Sequence, residues 1–323
     1  MRTTVFVALM LLAARLAAEQ APAPPQATFH SDSRSVAVYV TVSDPAGRLV
    51  PDLTQDDFEV YDNGKKQDIT LFDSGVQPIT VVMMLDRSGS MVQNFRLVRN
   101  AAEQFVGLLM PGDKARIGSF ANRIQVDPRG FTSSQRDLIE ILRTQLQEPG
   151  PTPLWNAVNV GITSLLHQDG RRVVLVFTDG IDHPTGSNNI SFRDVTKNAE
   201  EQDVMVFAVG LAGREGSSGR RAGGLGSGGG FGGFGLPRQD DEPTVDKGLP
   251  RIASMTGGGY YELRSPANLG PAFKRIADEL HKQYALAFTP QKLDGKAHKL
   301  EVKLKRPGFI TRTRKTYVAR EDR

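Results

Sequence analysis

The chain has 323 residues, 39% of them hydrophobic and 24% charged, with a net charge of +4 and no cysteine. That length and balance exclude a fibrous or wholly disordered chain and allow one large or two modest domains, each with a buried core. Lack of cysteine excludes disulfides and a lipid-modified cysteine anchor, so stability is expected to come from packing or from bound metal.

The first residues, MRTTVFVALMLLAARLAAEQ, set Arg2 ahead of an apolar stretch over 5–14 and a small-residue site at Leu16-Ala17-Ala18. This order predicts a secretory signal peptide over 1–18, hence an exported chain, periplasmic or secreted after cleavage. The apolar stretch is shorter than the roughly 20 residues of a spanning helix, and Arg15 interrupts its end. No transmembrane helix is expected in the mature chain. Residues 19–26, which include APAPPQ, read as a proline-rich extended leader.

From 27 to 77 the pattern alternates with period two: Val36, Val38, Val40 and Val42, then Phe58 and Val60, then Ile69 and Leu71. DPAGR and DNGK mark turns, with Asn63-Gly64 as a hairpin turn. Over 78–284 apolar runs alternate with helical segments. Strands are expected at ITVVMMLD, KARIGSFA, RRVVLVFTD, DVMVFAVG and GGYYELR, and helices over 95–109, 134–146, 154–166, 192–202, 248–255 and 266–283. Near-continuous apolar strands separated by helices predict a mostly parallel sheet covered on both faces, a Rossmann-like doubly wound α/β fold. Over 285–320, YALAFTP, HKLEVKLKR and ITRTRKTYVA return to strand alternation. Neither flanking β segment suffices alone, so the two are expected to pair as one small antiparallel β-sandwich around the inserted α/β domain.

Two segments have bland explanations. Thirteen of the 26 residues from 210 to 235 are glycine, and ordering such a run costs more backbone entropy than its few apolar side chains return. A flexible loop is expected over 210–240, and its GLGSGG is a chance match to a dinucleotide motif because it neither follows the strand directly nor opens a helix. From Lys292 onward eleven basic residues face four acidic ones. Alternation of Leu300, Val302 and Leu304 with Lys299, Lys303 and Lys305 makes much of this the solvated face of a strand. No nucleic-acid partner is expected.

In an open parallel sheet, ligands collect beyond the carboxyl ends of the strands, where strand order reverses. Asp86 ends the first α/β strand and is followed by Ser88 and Ser90 in DRSGSM; Thr178 and Asp179 end VVLVFTDG; Thr152 precedes a helix in GPTPLWNA. The loops offer two carboxylates and three hydroxyls, from Asp86, Asp179, Ser88, Ser90 and Thr152. An oxygen-only set suits a hard divalent cation. The five histidines show no clustered ligand spacing, which disfavours zinc. If the loop after the first strand is extended, Asp86, Ser88 and Ser90 point the same way while Gly89 relaxes the backbone.

DRSGSM, Thr152 in GPTPLWNAV and Asp179 in VVLVFTDG resemble the metal-ion-dependent adhesion site (MIDAS) of the von Willebrand factor A (VWA) domain: D-x-S-x-S, a distant Thr and a later Asp. The flanks, with DDFEVYDNGKKQDIT and YALAFTPQKLDGKAHKLEVKLKRPG, resemble the exported VWA-related proteins of acidobacteria and their relatives. The resemblance implies Mg²⁺ or Mn²⁺ held directly by Ser88 and Ser90, with Thr152 direct in the ligand-competent state and Asp86 and Asp179 acting largely through water. It also implies a protein partner whose acidic side chain completes the coordination. Asp182 and Trp155 are candidate partner contacts beside the rival readings of solvated loop and core packing.

The expected function is therefore metal-dependent protein binding, without enzymatic activity. A structural or envelope scaffold in which the metal only stabilises the fold is the alternative. A hydrolase is the weaker rival: dehalogenase-like phosphatases need a second Asp where this chain has Ser88, and a serine hydrolase needs a G-x-S-x-G elbow that DRSGSM lacks.

Overall fold

A computed structural model describes residues 35–184, 189–211 and 245–320. The expected signal peptide and leader, and nearly all of the glycine-rich segment, lie outside the described residues.

Strand β1 (Val36–Ser43) opens the first flanking region, followed by β2 (Phe58–Asp62), β3 (Lys65–Gln67) and β4 (Leu71–Asp73). β2 and β3 pair antiparallel through Asn63-Gly64, where both residues have positive φ, +47° and +80°. That geometry is the tight primed hairpin turn, which Asn-Gly accommodates with little steric cost.

The α/β region begins with β5 (Ile79–Asp86), buried along its whole length. It continues through α1 (Phe95–Gly107), β6 (Lys114–Phe120), β7 (Ile124–Thr132), α2 (Gln135–Thr144), α3 (Leu154–Ser164), β8 (Arg171–Thr178) and α4 (Phe192–Glu201). β9 (Met205–Leu211), α5 (Gly248–Thr256), β10 (Tyr260–Leu263) and α6 (Leu269–His281) complete it. Six strands form one sheet in the order β10-β9-β8-β5-β6-β7. All neighbours are parallel except β6 and β7. Successive residues of β5 serve opposite faces: Val81, Met83 and Leu85 pack with α1, α2 and α6, while Val82 and Met84 pack with α3, α4 and α5. Burial on both faces explains why the strand reads as an unbroken apolar run.

β7 is the strand absent from the sequence reading. Pro128 and Gly130 argue against a central strand, but β7 lies at the sheet edge, where a missing ladder donor is tolerated. The 134–146 helix starts one residue later than expected because Ser134 is its N-cap, accepting from the Asp137 amide. The 266–283 helix divides into a 3₁₀ turn, Pro266–Asn268, and α6.

The last region supplies β11 (Tyr284–Phe288), β12 (Ala297–Leu304), β13 (Ile310–Arg312) and β14 (Thr316–Val318). ITRTRKTYVA, read as one strand, is two, and they enter different sheets. Strands from both ends of the chain interleave as β13-β1-β11-β4 and β14-β12-β2-β3. The two sheets share one core, in which Val38, Val40 and Leu286 meet Phe58, Val60 and Leu300. The architecture is thus a doubly wound α/β unit flanked by an antiparallel sandwich built from both chain ends.

β1 divides its two faces between the sandwich and the α/β unit. Its other face turns Tyr39 and Thr41 towards the α/β unit, where the Thr41 hydroxyl donates to Glu279 Oε1 on α6 at 3.2 Å. The same carboxylate accepts from the Tyr261 hydroxyl at 2.6 Å and pairs with Arg312. His281, the last residue of α6, lies 2.7 Å from Asp113, whose carboxylate also accepts from the amides of Ile79 and Met110. Buried carboxylates with several partners hold elements in register, since breaking one leaves charge without solvent or partner.

Candidate metal centre

Chain order reverses at β5, which lies between β6 and β8. The carboxyl ends of β5 and β8 therefore border the crevice where open α/β sheets bind ligands. β5 delivers Asp86 there, and β8 delivers Thr178 and Asp179. The third contribution comes from the turn ahead of α3. Gly150 forms a parallel bridge with Ser88: its amide donates to the Arg87 carbonyl, and its carbonyl accepts from the Gly89 amide, both at 3.1 Å. A β-carbon on Gly150 would stand 2.8 Å from the Asn122 amide nitrogen, so only glycine permits this approach. Thr152 follows, with its carbonyl accepting from the His183 amide at 2.8 Å.

The five predicted residues thus converge from three turns. Asp86 is fully buried; its Oδ1 accepts from the Ser88 amide at 2.7 Å and its Oδ2 from the Thr178 hydroxyl at 2.5 Å. The Ser88 and Ser90 hydroxyls lie 3.1 Å apart, and Ser90 donates to Asp179 Oδ1 at 2.8 Å. Thr152 is 6% exposed, and its Oγ1 lies 3.8 Å from where a β-carbon on Gly180 would sit. The condition of an extended loop holds only as far as Ser88: Gly89–Gln93 is a 3₁₀ turn, and Ser90, within it, lies beside Ser88. Nor does Gly89 need to be glycine for space, since a β-carbon there would meet nothing within 4 Å.

Burial dominates the electrostatics of the two carboxylates. Burial pushes the Asp86 carboxyl up to about 6, against the lowering effect of its Thr178 and Ser88 donors, and Asp179 adds to the rise. Burial also raises Asp179, opposed by Ser90 and Ser88. Among the described residues, no Lys, Arg or His pairs with either carboxylate in a salt bridge. No group of three or more His, Cys, Asp or Glu with metal-site spacing occurs among them either. The donor set is hydroxyl-rich, and it fits a hard oxygen-seeking cation while offering nothing to a soft one.

Two further residues bear on the site. Asp182 is half-buried, and its Oδ1 accepts from the Trp155 amide at 3.3 Å, capping the first turn of α3 behind Thr152. Its own amide donates to Asp246 Oδ2 at 3.3 Å. The Asp182 carboxylate is thereby engaged within the chain. Trp155 is 5% exposed and packs edge-to-face on Phe192 with ring centroids 4.9 Å apart, so core packing replaces its reading as a partner contact. Thr178 and Asp246 were absent from the sequence-derived site. Thr178 had a signal, its place beside Asp179 at a strand end; Asp246 had none.

The model of the von Willebrand factor type A domain matches residues 80–270, and the chain belongs to that family. No curated protein matches the chain. Similar solved structures include an aerotolerance-related membrane protein from Bacteroides fragilis, 22% identical, aligned over 63% of this chain and 99% of that one with a TM-score of 0.44. A von Willebrand factor type A protein from Catenulispora acidiphila is 11% identical over 92% of this chain and 77% of that one, with a TM-score of 0.49. Proximal thread matrix protein 1 of the mussel byssus, solved with a zinc-occupied MIDAS motif, is 16% identical over 68% and 50%, with a TM-score of 0.47. No helix among the described residues is long and apolar enough to cross a membrane.

Proposed function

We propose that this chain binds a protein partner through a divalent cation, Mg²⁺ or Mn²⁺, to which the partner contributes an acidic side chain. The observation that carries this reading is the cluster of Asp86, Ser88, Ser90 and Asp179: buried or half-buried carboxylates joined by hydroxyls, with no basic side chain among the described residues in a salt bridge to them. Ser88, Ser90 and Thr152 would hold the cation directly, and Asp86 and Asp179 would act largely through water. A cation so held supplies an electrophilic centre that its hosts neutralise only in part, and an outside carboxylate gains most at such a centre.

A binding role is favoured over catalysis by the state of Asp86. Both of its oxygens already accept hydrogen bonds, and it has no exposed surface from which to attack a substrate. Export rests on the reading of residues 1–18, and N-terminal sequencing of the protein recovered from its source tests it.

The function is tested by capture from an extract of the source cells on immobilised protein. Wild type with Mg²⁺ retains a partner that EDTA releases, and Asp179→Ala retains none. Capture that persists both after EDTA and in the variant would return the account to a scaffold whose sandwich makes the contacts.

A further inference from the structure

Arg171 opens β8 at the amino edge of the parallel sheet, and Thr178 closes the same strand at the metal-centre end, roughly 23 Å away at about 3.3 Å per residue. The Arg171 side chain is 2% exposed. Its Nη1 donates to the Leu280 carbonyl, and its guanidinium lies 4.5 Å from the centre of the Tyr39 ring. Nε and Nη2 have no hydrogen-bond acceptor among the described residues. A cation taken out of water is costly unless an opposite charge and hydrogen bonds accompany it.

No carboxylate of the described residues forms a salt bridge with Arg171. Asp203 pairs with Arg314, Asp113 with His281 and two backbone amides, and Asp73 accepts from the Gly75 amide and from Gln77. The Tyr39 phenol is a further neighbour of Arg171, but burial holds it above its ordinary range, so at neutral pH it supplies no negative charge.

A cavity of about 10 Å³ lies beside Arg171, where the sandwich meets the α/β unit; Arg172, Arg314, Asp203, Tyr39, Met205 and Thr256 complete its lining. That volume admits one particle of about the size of a water molecule and no polyatomic ligand. Three guanidiniums against one carboxylate make the lining positive. A water would accept from Arg171 but bring no charge, whereas a monatomic anion does both.

We infer that this cavity binds a single halide ion, chloride in ordinary salt, which accepts from Nε and Nη2 of Arg171 while Arg172 and Arg314 add positive potential. The ion joins the start of β8 to the sandwich and stabilises the folded chain by mass action. The site is separate from the metal centre and does not depend on the reading given to it.

Thermal unfolding of the full chain in sodium chloride and in sodium gluconate at equal ionic strength tests the inference, since gluconate is far too large for the cavity. The Tm is expected to be higher in chloride by roughly 2–4 °C, and Arg171→Gln is expected to melt equally in the two salts. Crystals soaked in sodium bromide are expected to show an anomalous peak within hydrogen-bond distance of Arg171 Nε and Nη2, a result that decides the matter if Arg171→Gln does not fold. No bromide peak there, or a chloride-dependent rise that persists in Arg171→Gln, would overturn the inference. Equal melting of the wild type in both salts would also overturn it, reducing any bromide peak to binding at crystal concentration only.

Discussion

The Ser90 hydroxyl donates to Asp179 Oδ1 across 2.8 Å, joining residues 89 positions apart on the turns that follow two adjacent strands. The bond is exposed, so it contributes little to the fold, about 1 kcal/mol or less. Ser90→Ala is therefore expected to leave the urea midpoint of the metal-free protein nearly unchanged. It removes a donor oxygen from the proposed cation, and calorimetric titration with Mg²⁺ should show the affinity falling at least roughly tenfold, the equivalent of one charge-assisted contact.

Asp86 gives a sharper form of the same separation. Its ionised form is disfavoured by burial, so an isosteric neutral side chain relieves that cost and keeps an acceptor for the Ser88 amide. Asp86→Asn is expected to melt at or above the wild-type temperature without metal and to lose the Mg²⁺-dependent rise in Tm. A ligand at a hundred times its Kd stabilises by about 2.7 kcal/mol, so the wild-type shift is measurable by calorimetry. A large loss of metal-free stability in Asp86→Asn would make Asp86 a structural residue.

Gly150 controls the distance between the Thr152 turn and the Ser88 turn. A methyl group there meets the Asn122 backbone at 2.8 Å, and separating the turns costs about 1–3 kcal/mol. Gly150→Ala is expected to lower both the urea midpoint and Mg²⁺ affinity, whereas Gly89→Ala, with open space around it, is expected to leave the midpoint close to wild type.

Glu279 tests the junction between the sandwich and the α/β unit. It is 3% exposed and engages Thr41, Tyr261 and Arg312. Glu279→Ala leaves Arg312 without that carboxylate and is expected to cost about 3–5 kcal/mol in equilibrium unfolding, the range for breaking one partner of a buried ion pair. Mg²⁺ affinity, set at the carboxyl ends of β5 and β8, should change little in comparison.

The apolar runs of β5, β8 and β9 were legible because strands buried on both faces need unbroken hydrophobicity, and the sandwich strands because a half-buried strand alternates. Legibility failed where local chemistry conflicts with position. β7 holds Pro128 and Gly130 because an edge strand tolerates them, and no single sequence says which strand is at the edge. Asp86, Ser88, Ser90 and Asp179 were legible as an oxygen set from their places at or just beyond strand ends, and Thr152 from its place ahead of a helix. What brings them together was not: the 3₁₀ turn at Gly89–Gln93 and the bridge from Gly150 to Ser88 depend on backbone pairing between segments distant in sequence. Asp182 was ambiguous for a related reason, since its acceptor role towards the Trp155 amide exists only once α3 is in place.

The central claim is that one divalent cation binds where Ser88, Ser90, Thr152, Asp86 and Asp179 meet. Titration of metal-stripped protein with Mn²⁺, with free ion followed by electron paramagnetic resonance, tests it most directly. The account predicts one saturable site per chain, competed by Mg²⁺ and absent from Asp179→Ala and from the double variant Ser88→Ala, Ser90→Ala. Binding of the same stoichiometry and affinity in those variants, or none in the folded wild type, would contradict it.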